Sequence, residues 1–435
     1  MKKQLKKLGA FLIIFALITS NLNSLTLKEA IKIALKNNFE INSKAHELKS
    51  SEYLIGSAKS LKMPSFFITS SYTYLDSPKK MDISYPPYFS EKIKVSEKDY
   101  IDLVTGINLN VYTGGFINSK IHSAKYLYKI KKAQLSEKKL DVIYATQIAY
   151  LTVLELKSFK KIAQKHIEAL LSHLKDVKDY YHQGLVPYVD ILQTEVKLKK
   201  AEQNLTKIEN DIITAKANLS IIMGLSPDEN FTLKDVKVPL KEKLSLKNLY
   251  KIALEKRPYL KMIKYNLSRI EWEIEGKKSE IKPKFSITSG YKYSDIQDNI
   301  ENKGNFFIQG TLKFNIDWDK TFKEINALKE EKISIKFQLL SAKSKILFGV
   351  KKALNDFKTS LKNLEVAKSE VKSAKEYFRI VKLKYKNGLS DNTDVLNAEA
   401  MVISAMMREK TDYFNALKKF FLIKRVTGEG GFKNE

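Results

Sequence analysis

The chain has 435 residues, 43% of them hydrophobic, so its composition excludes a disordered protein and allows a large core or several domains. It contains no cysteine, which excludes disulfides, thiolate metal sites and cysteine nucleophiles. The formal net charge is +28, yet only five of the basic residues are arginines, and the lysines are spread along the whole chain. Proteins that recognise nucleic acids usually bind bases and phosphates through arginine side chains and local clusters of basic residues. We therefore expect no nucleic-acid partner.

Residues 1–24 have the pattern of a signal peptide. Four lysines precede an apolar run at residues 8–18, and small residues follow it at Thr19, Ser20 and Ser24. The run is too short for a transmembrane helix, which needs about 20 apolar residues, and no later stretch of the sequence reaches that length. We therefore expect an exported chain that is cleaved after Ser20 or Ser24.

The rest of the chain contains an internal repeat. Residues 25–38, LTLKEAIKIALKNN, align without gaps to residues 244–257, LSLKNLYKIALEKR. We therefore divide the chain into a first repeat, residues 25–243, and a second repeat, residues 244–435. The first repeat carries extra residues within SPKKMDISYPPYFSEKIKVSEKDY at 77–100, and this proline-containing polar stretch predicts a long loop.

Each repeat begins with a helix and continues with two strands. Thr26 and Glu29 have the spacing of a capping box, and Ser245 is the expected N-cap of the second opening helix. Apolar and polar residues then alternate, which predicts half-buried strands. The apolar positions are Phe66, Ile68, Tyr72, Tyr74, Ile101, Leu103, Ile107, Leu109 and Val111 in the first repeat, and Phe285, Ile287, Tyr291, Tyr293, Phe306, Ile308, Leu312, Phe314 and Ile316 in the second.

Two long helices complete each repeat. Residues 116–183 contain neither Gly nor Pro, and residues 320–387 contain only Gly349. At a rise of about 1.5 Å per residue, each segment would extend on the order of 100 Å as a helix. Apolar residues recur at intervals of three and four along these segments and along the return helices, which is typical of coiled coils. We expect two antiparallel hairpins that turn at Gly184-Leu185 and at Gly388-Leu389.

Four strands cannot close a β-barrel, and open sheet edges are not tolerated in lipid. Bacterial barrels use even strand numbers from about eight upward, so several subunits would have to share one barrel. A soluble sheet covered by helices is less favoured, because the sequence supplies no compact helical layer.

The repeated opening helix, the Gly114-Gly115 pair, ANLSIIMGLSP at residues 217–227 and the two Gly-Leu turns together resemble the TolC-type family of outer-membrane efflux and secretion channels. The resemblance implies a mainly α fold with a membrane β-barrel portion. Three chains would form an α-barrel across the periplasm and share a 12-stranded β-barrel in outer-membrane lipid. Such a homotrimer is the exit duct of a tripartite efflux pump or a type I secretion system. Its partners would be a periplasmic adaptor (membrane fusion) protein and an inner-membrane pump of the RND, ABC or MFS type.

The resemblance also implies that the hairpin tips dock onto the adaptor. Gly184 and Gly388 stand where each helix reverses, and glycine adopts the left-handed conformation of such a turn at low cost. Leu185 and Leu389 would then project at the end of each hairpin. They would either contact the adaptor or staple the turn.

Asp190 and Asp394 fall in the first turn of the two return helices, where a carboxylate also stabilises the helix dipole. By the resemblance they form the periplasmic gate, and Tyr385 matches a family tyrosine that bonds to the aspartate of the neighbouring hairpin, here Asp190. The family prototype has an arginine where this chain has Ser390. A second row of aspartates, found in some family members three residues further on, is replaced here by Gln193 and Asn397. We therefore expect a gate that is held by fewer bonds and is less selective for cations.

The sequence gives no sign of an enzyme, a metal site or a cofactor, because its five histidines form no ligand pattern and no phosphate-binding glycine loop is present. His166 and His173, seven residues apart, are expected at the surface of one helix. The alternative function is a periplasmic adaptor or an exported coiled-coil scaffold, although adaptors usually carry one such hairpin rather than two.

Overall fold

The structure is a computed structural model that describes residues 24–236, 240, 244–297, 302–315, 317 and 319–430, except for the side chain of Tyr85. The predicted signal peptide lies outside these residues apart from Ser24. Residue 243, at the proposed boundary between the repeats, and Ile316, which the alternation assigns to a strand, also lie outside them.

The elements follow the same plan twice. The first repeat contains helices α1 (Leu27–Asn37) and α2 (Phe39–Ser60), strands β1 (Ser65–Tyr74), β2 (Lys80–Tyr85), β3 (Phe89–Lys94) and β4 (Asp99–Tyr112), and helices α3 (Phe116–His182) and α4 (Tyr188–Met223). The second contains helices α5 (Leu246–Lys256) and α6 (Pro258–Lys278), a 3-10 helix (Ser279–Ile281), strands β5 (Lys284–Ser294) and β6 (Gly304–Lys313), and helices α7 (Lys320–Lys386) and α8 (Asn392–Thr427). The long helices α3 and α7 each run for 67 residues, as the absence of helix breakers predicts.

The opening helix α1 begins as the sequence predicts. The hydroxyl of Thr26 accepts a hydrogen bond from the Glu29 N–H at 3.3 Å, and the Glu29 carboxylate accepts one from the Thr26 N–H at 2.8 Å. These reciprocal bonds satisfy two backbone donors that a helix start otherwise leaves free. Ser245 is the N-cap of α5, although its side chain makes no capping bond.

The chain divides into two compact units, and each unit takes segments from both repeats. Unit 1 contains the residues up to 46, residues 133–260 and the residues from 341 onward. Unit 2 contains residues 47–132 and 261–340. The repeats are therefore a division of the sequence, and their boundaries at 243 and 244 stay a prediction.

Unit 2 contains an antiparallel sheet of four strands in the order β1-β4-β5-β6, so β1 and β6 lie at its two edges. The apolar positions of the alternating pattern are most exposed on the edge strands β1 and β6, from 62% at Tyr74 to 88% at Phe306. They are less exposed on the central strands, with 43% at Ile101 on β4 and 37% at Ile287 on β5. The same face carries Phe66, Ile68 and Leu312. The strands are therefore correctly predicted, except that Phe314 lies just after the end of β6. The predicted half-burial holds for apolar residues of the central strands, such as Tyr293, while the apolar residues of the edge strands are exposed.

The inserted stretch at 77–100 is not the long loop that its composition predicts. Strands β2 and β3 pair antiparallel, from Lys80 opposite Lys94 to Tyr85 opposite Phe89. The physical reason is a short period-two pattern in KMDISY and FSEKIK, which supports strand pairing although prolines and charged residues surround it.

In unit 1 the residue that follows each opening helix caps the end of a return helix. The Asn38 side-chain N–H donates to the Ile222 carbonyl at 2.9 Å, near the end of α4. Arg257, the residue that aligns with Asn38 in the repeat, donates to the Arg425 carbonyl at 3.2 Å and to Glu137 at 2.9 Å. The bonds to the Ile222 and Arg425 carbonyls satisfy acceptors that a helix end leaves without partners. Among the described helices, none is both long and apolar enough to cross a membrane.

Candidate functional site: the two hairpin tips

The two hairpins turn in unit 1 with one and the same backbone geometry. Gly184 has φ +73° and Gly388 has φ +70°, both in the left-handed region. The N–H of the leucine after each glycine donates to the carbonyl five residues earlier, at 2.9 Å in the first tip and 2.8 Å in the second. This pattern is the Schellman motif that ends many helices. A Cβ atom at either glycine would have no neighbouring atom within 4 Å, so only the backbone conformation requires glycine there.

The leucines of both tips are exposed, with 67% of Leu185 and 75% of Leu389 accessible. The residue that packs inward is Val186, which contacts the apolar clusters of both hairpins. The rings of Tyr181 and Tyr188, 5.7 Å apart between centroids and both exposed, lie beside the first tip. Val186 therefore closes the first turn, and the leucines are left free on the surface of the protomer.

Asp394 is held over the start of α8 by two neighbours. Asp391 is the N-cap of this helix and accepts a hydrogen bond from the Asp394 N–H at 2.8 Å. The Ser390 hydroxyl donates to the Asp394 carboxylate at 2.7 Å. Ser390 thus gives this carboxylate one neutral hydrogen bond. The sequence pattern did not single out Asp391, although an aspartate directly before a helix is a usual N-cap.

Asp190 lies half-buried in the first turn of α4. Burial raises its pKa, and the negative charge of Asp391 raises it further. The carboxylate that acts on Asp190 from the other hairpin is therefore Asp391. The acidic starts of the two return helices therefore interact through Asp391, a residue that the sequence pattern did not single out.

The hydrogen bond that the resemblance implies between Tyr385 and Asp190 is absent. Among the described residues, the Tyr385 hydroxyl is buried and has no hydrogen-bond partner. Its ring instead packs 5.7 Å from the His173 ring and 6.1 Å from the Tyr180 ring, between centroids. Burial, and after it the charge of Asp190, raises the pKa of Tyr385 to about 12. Asn392 of the same hairpin makes the hydrogen bond to Asp190 instead, through the Asp190 backbone carbonyl.

Asn392, in the first turn of α8, binds groups of the other hairpin. Its Oδ1 lies 2.8 Å from the His173 Nε2, and its Nδ2 donates to the Asp190 carbonyl at 3.1 Å and to the Thr194 hydroxyl at 3.3 Å. Asn392, His173 and Thr194 are at most 4% exposed. The prediction that His173 lies at the surface is therefore wrong, because the second hairpin covers it and supplies its partner.

His166 precedes His173 on α3 and lies further from the tip. It is not a simple surface residue either. Its side chain is 21% exposed, and its Nε2 lies 3.9 Å from a carboxylate oxygen of Glu399 on α8. Glu399 is 4% exposed. Burial raises the pKa of Glu399 to about 7, against the opposing effect of Lys382. Burial and the charge of Lys197 lower the pKa of His166.

Comparison with known proteins assigns these features to a family. The family described as outer membrane efflux protein matches residues 30–225 and 249–415, which is most of both repeats. The chain belongs to the outer membrane efflux protein family. It is therefore an outer-membrane protein of a channel family, and its long helices extend into the periplasm.

The relatives that resemble this member are distant in sequence. The outer membrane efflux protein BepC of Brucella suis biovar 1 (strain 1330) is 22% identical over 273 residues, which cover 62% of this chain and 55% of BepC. The matched part of the chain thus spans about half the length of that relative.

Two solved structures show the fold. The outer membrane protein VceC of Vibrio cholerae superposes with a TM-score of 0.75 at 14% identity, over 93% of this chain and 97% of VceC. The CmeC outer membrane channel of Campylobacter jejuni superposes with a TM-score of 0.73 at 17% identity, over 94% of this chain and 86% of CmeC. The TolC-type fold that the sequence predicts is therefore confirmed.

Proposed function

We propose that the protein is the exit duct of a tripartite efflux pump or a type I secretion system. In this proposal three copies form the channel, an inner-membrane pump of the RND, ABC or MFS type delivers the substrate, and a periplasmic adaptor opens the channel at the hairpin tips. The main support for the proposal is that both hairpin tips have the same backbone turn and expose a leucine, Leu185 in the first and Leu389 in the second.

A single exposed leucine on a protein surface needs no explanation. Here the same leucine follows the same left-handed glycine in both repeats, and a separate residue, Val186, packs the first turn. Burying one leucine side chain contributes about 1.5 to 3 kcal/mol to an association. The six leucines of a trimer would together present an adaptor with an apolar binding surface.

The sheet of unit 2 supports the trimer. Its edge strands β1 and β6 have no partner on one side within the described part of the chain, and its apolar face is exposed. Unpaired backbone groups cost several kcal/mol each in lipid, so β1 of one copy would pair with β6 of the next. Three copies of four strands give a barrel of twelve, an even number within the usual range.

The acidic residues at the tips would form the gate. Asp190 and Asp394 would place six carboxylates at the narrow end of a trimer, and such a ring attracts cations. Tyr385 would support the gate by packing between Tyr180 and His173. Because Ser390 supplies only a neutral hydrogen bond, we expect weaker closure than an arginine would give.

Membership in the outer membrane efflux protein family favours the channel over the alternative, a periplasmic adaptor or an exported coiled-coil scaffold. Fractionation of the cell envelope separates these functions. A channel would appear in the outer membrane as a heat-modifiable trimer, whereas a soluble or inner-membrane protein would contradict the proposal.

Docking can be tested by placing a photocrosslinking amino acid at position 185 or 389 in living cells. We expect crosslinks to an adaptor identified by mass spectrometry. Leu171, an exposed leucine on α3 away from the turn, is the matched control and should give no adaptor crosslink. Crosslinks from positions 185 and 389 to other copies of this chain alone would contradict docking through the tips.

A further inference from the structure

We infer that His173 and Asn392 are positioning residues of the gate. Together with Thr194 and the Asp190 carbonyl they form a buried hydrogen-bonded clasp that holds the two hairpins of one protomer in a single register. This inference rests on the proposed channel function and adds the element that keeps the tips in their resting arrangement.

The atoms of the clasp have fixed roles. The Asp190 carbonyl can only accept, so the amide nitrogen of Asn392 must face it, at 3.1 Å. The amide oxygen must then face His173, at 2.8 Å, and the His173 Nε2 must carry the proton that it donates. Thr194 is held in turn, because its hydroxyl donates to the same Asp190 carbonyl at 2.8 Å. Each donor therefore meets an acceptor in this arrangement.

The surroundings of the clasp are apolar. Leu170, Leu174, Val177 and Ile191 form a buried cluster on α3 and α4, and Leu396 of α8 belongs to the same cluster. Apolar side chains alone would tolerate small slips between the hairpins, since the hydrophobic effect has no direction. A buried polar group must find its partner, so an asparagine in an apolar interface favours one register.

The clasp acts directly on the gate residues. Asn392 follows Asp391 in the chain and precedes Asp394 by two residues, while its acceptor is the backbone of Asp190 itself. When the clasp is closed, the acidic starts of α4 and α8 are held together. A movement of one hairpin against the other, of the kind an adaptor would impose, has to break these bonds.

Single-channel recording from purified trimers in planar bilayers tests the clasp. Without adaptor, the His173→Leu and Asn392→Leu variants should spend about tenfold more time open than the wild type, because each leaves a buried partner unsatisfied. His173→Gln keeps an N–H donor toward Asn392 and should stay near the wild-type open fraction. His182→Leu, which changes an exposed histidine at the end of the same helix, is the matched control and should not alter the open fraction.

The outcomes separate this inference from the channel proposal. Both would be overturned if neither the wild-type trimers nor the two leucine variants ever conduct. If wild-type trimers conduct while His173→Leu and Asn392→Leu keep the wild-type open fraction, the clasp is refuted and the channel proposal stands. A His173→Gln variant as leaky as His173→Leu would also refute the clasp, because the hydrogen bond would then not be the cause. Should Asn392→Leu fail to assemble, Thr194→Val removes one clasp acceptor at nearly constant volume and should raise the open fraction more modestly.

Discussion

The free-energy cost of replacing Gly388 by alanine follows from the backbone geometry of the second turn. The residue has φ +70°, and a Cβ atom there would meet no atom within 4 Å, so Gly388→Ala adds no clash. It adds only the cost of the left-handed conformation, about 1 to 2 kcal/mol for a residue with a side chain. Since about 1.4 kcal/mol corresponds to a factor of ten, the backbone amides of the second tip should exchange with solvent roughly 5 to 30 times faster.

Hydrogen exchange followed by mass spectrometry measures this change, and two other glycines supply the controls. Gly349 lies inside α7 in open space, so Gly349→Ala should slow exchange around it, because alanine stabilises a helix by about 1 kcal/mol over glycine. At Gly224, with φ +72°, a Cβ atom would lie 2.5 Å from the Asn37 carbonyl oxygen, so Gly224→Ala should cost more than Gly388→Ala. Unchanged exchange at the second tip in Gly388→Ala would refute the left-handed turn.

The exposed leucines, the acidic residues of the tips and the buried Glu399 can each be tested by substitution. When both Leu185 and Leu389 are replaced by lysine, efflux measured by drug susceptibility should be abolished, while the trimer yield on unheated gels should stay at the wild-type level. Intact efflux would refute docking through these residues. Replacing Asp190 and Asp394 with alanine should lower cation selectivity, measured as the reversal potential across a salt gradient, and unchanged conductance and selectivity would disprove the gate assignment. Burial raises the pKa of Glu399 from 4.5 to about 7, so the folded state retains a proton that the unfolded state loses, and stability declines as pH rises from 4.5 through about 7. Glu399→Gln should therefore raise the melting temperature relative to wild type at pH 8 and have little effect at pH 4.5, and an equal difference at both pH values would contradict the buried, protonated carboxyl.

The sequence predicts the architecture because its strongest signals are local. Residues 116–182 form one helix since no glycine or proline interrupts them, and Gly184 ends the hairpin arm because glycine adopts the left-handed turn at low cost. The strands show the same dependence on local pattern, since the alternation from Phe66 to Tyr74 coincides with β1. The alternation alone could not predict that this apolar face is exposed on a single chain. Its burial depends on the lipid or protein that contacts it.

The clasp could not be predicted in the same way. His173 and Asn392 are 219 residues apart, and neither carries a local signal of burial. His173 looks like a surface residue on an amphipathic helix until the second hairpin lies against it. Glu399 is a similar case, since a lone glutamate in a helix is normally solvated. Buried polar contacts between distant elements depend on the register of the hairpins, which only the three-dimensional structure supplies.

We propose that three copies of this chain form one gated channel in the outer membrane. Single-channel recording from trimers extracted from the outer membrane, with their mass determined on the same preparation, tests it most directly. We expect a mass of three chains and discrete conductance steps with a preference for cations that falls when Asp190 and Asp394 become alanine. A monomeric protein, or a trimer that inserts into bilayers without conducting even when Asn392 is replaced by leucine, would contradict this assembly.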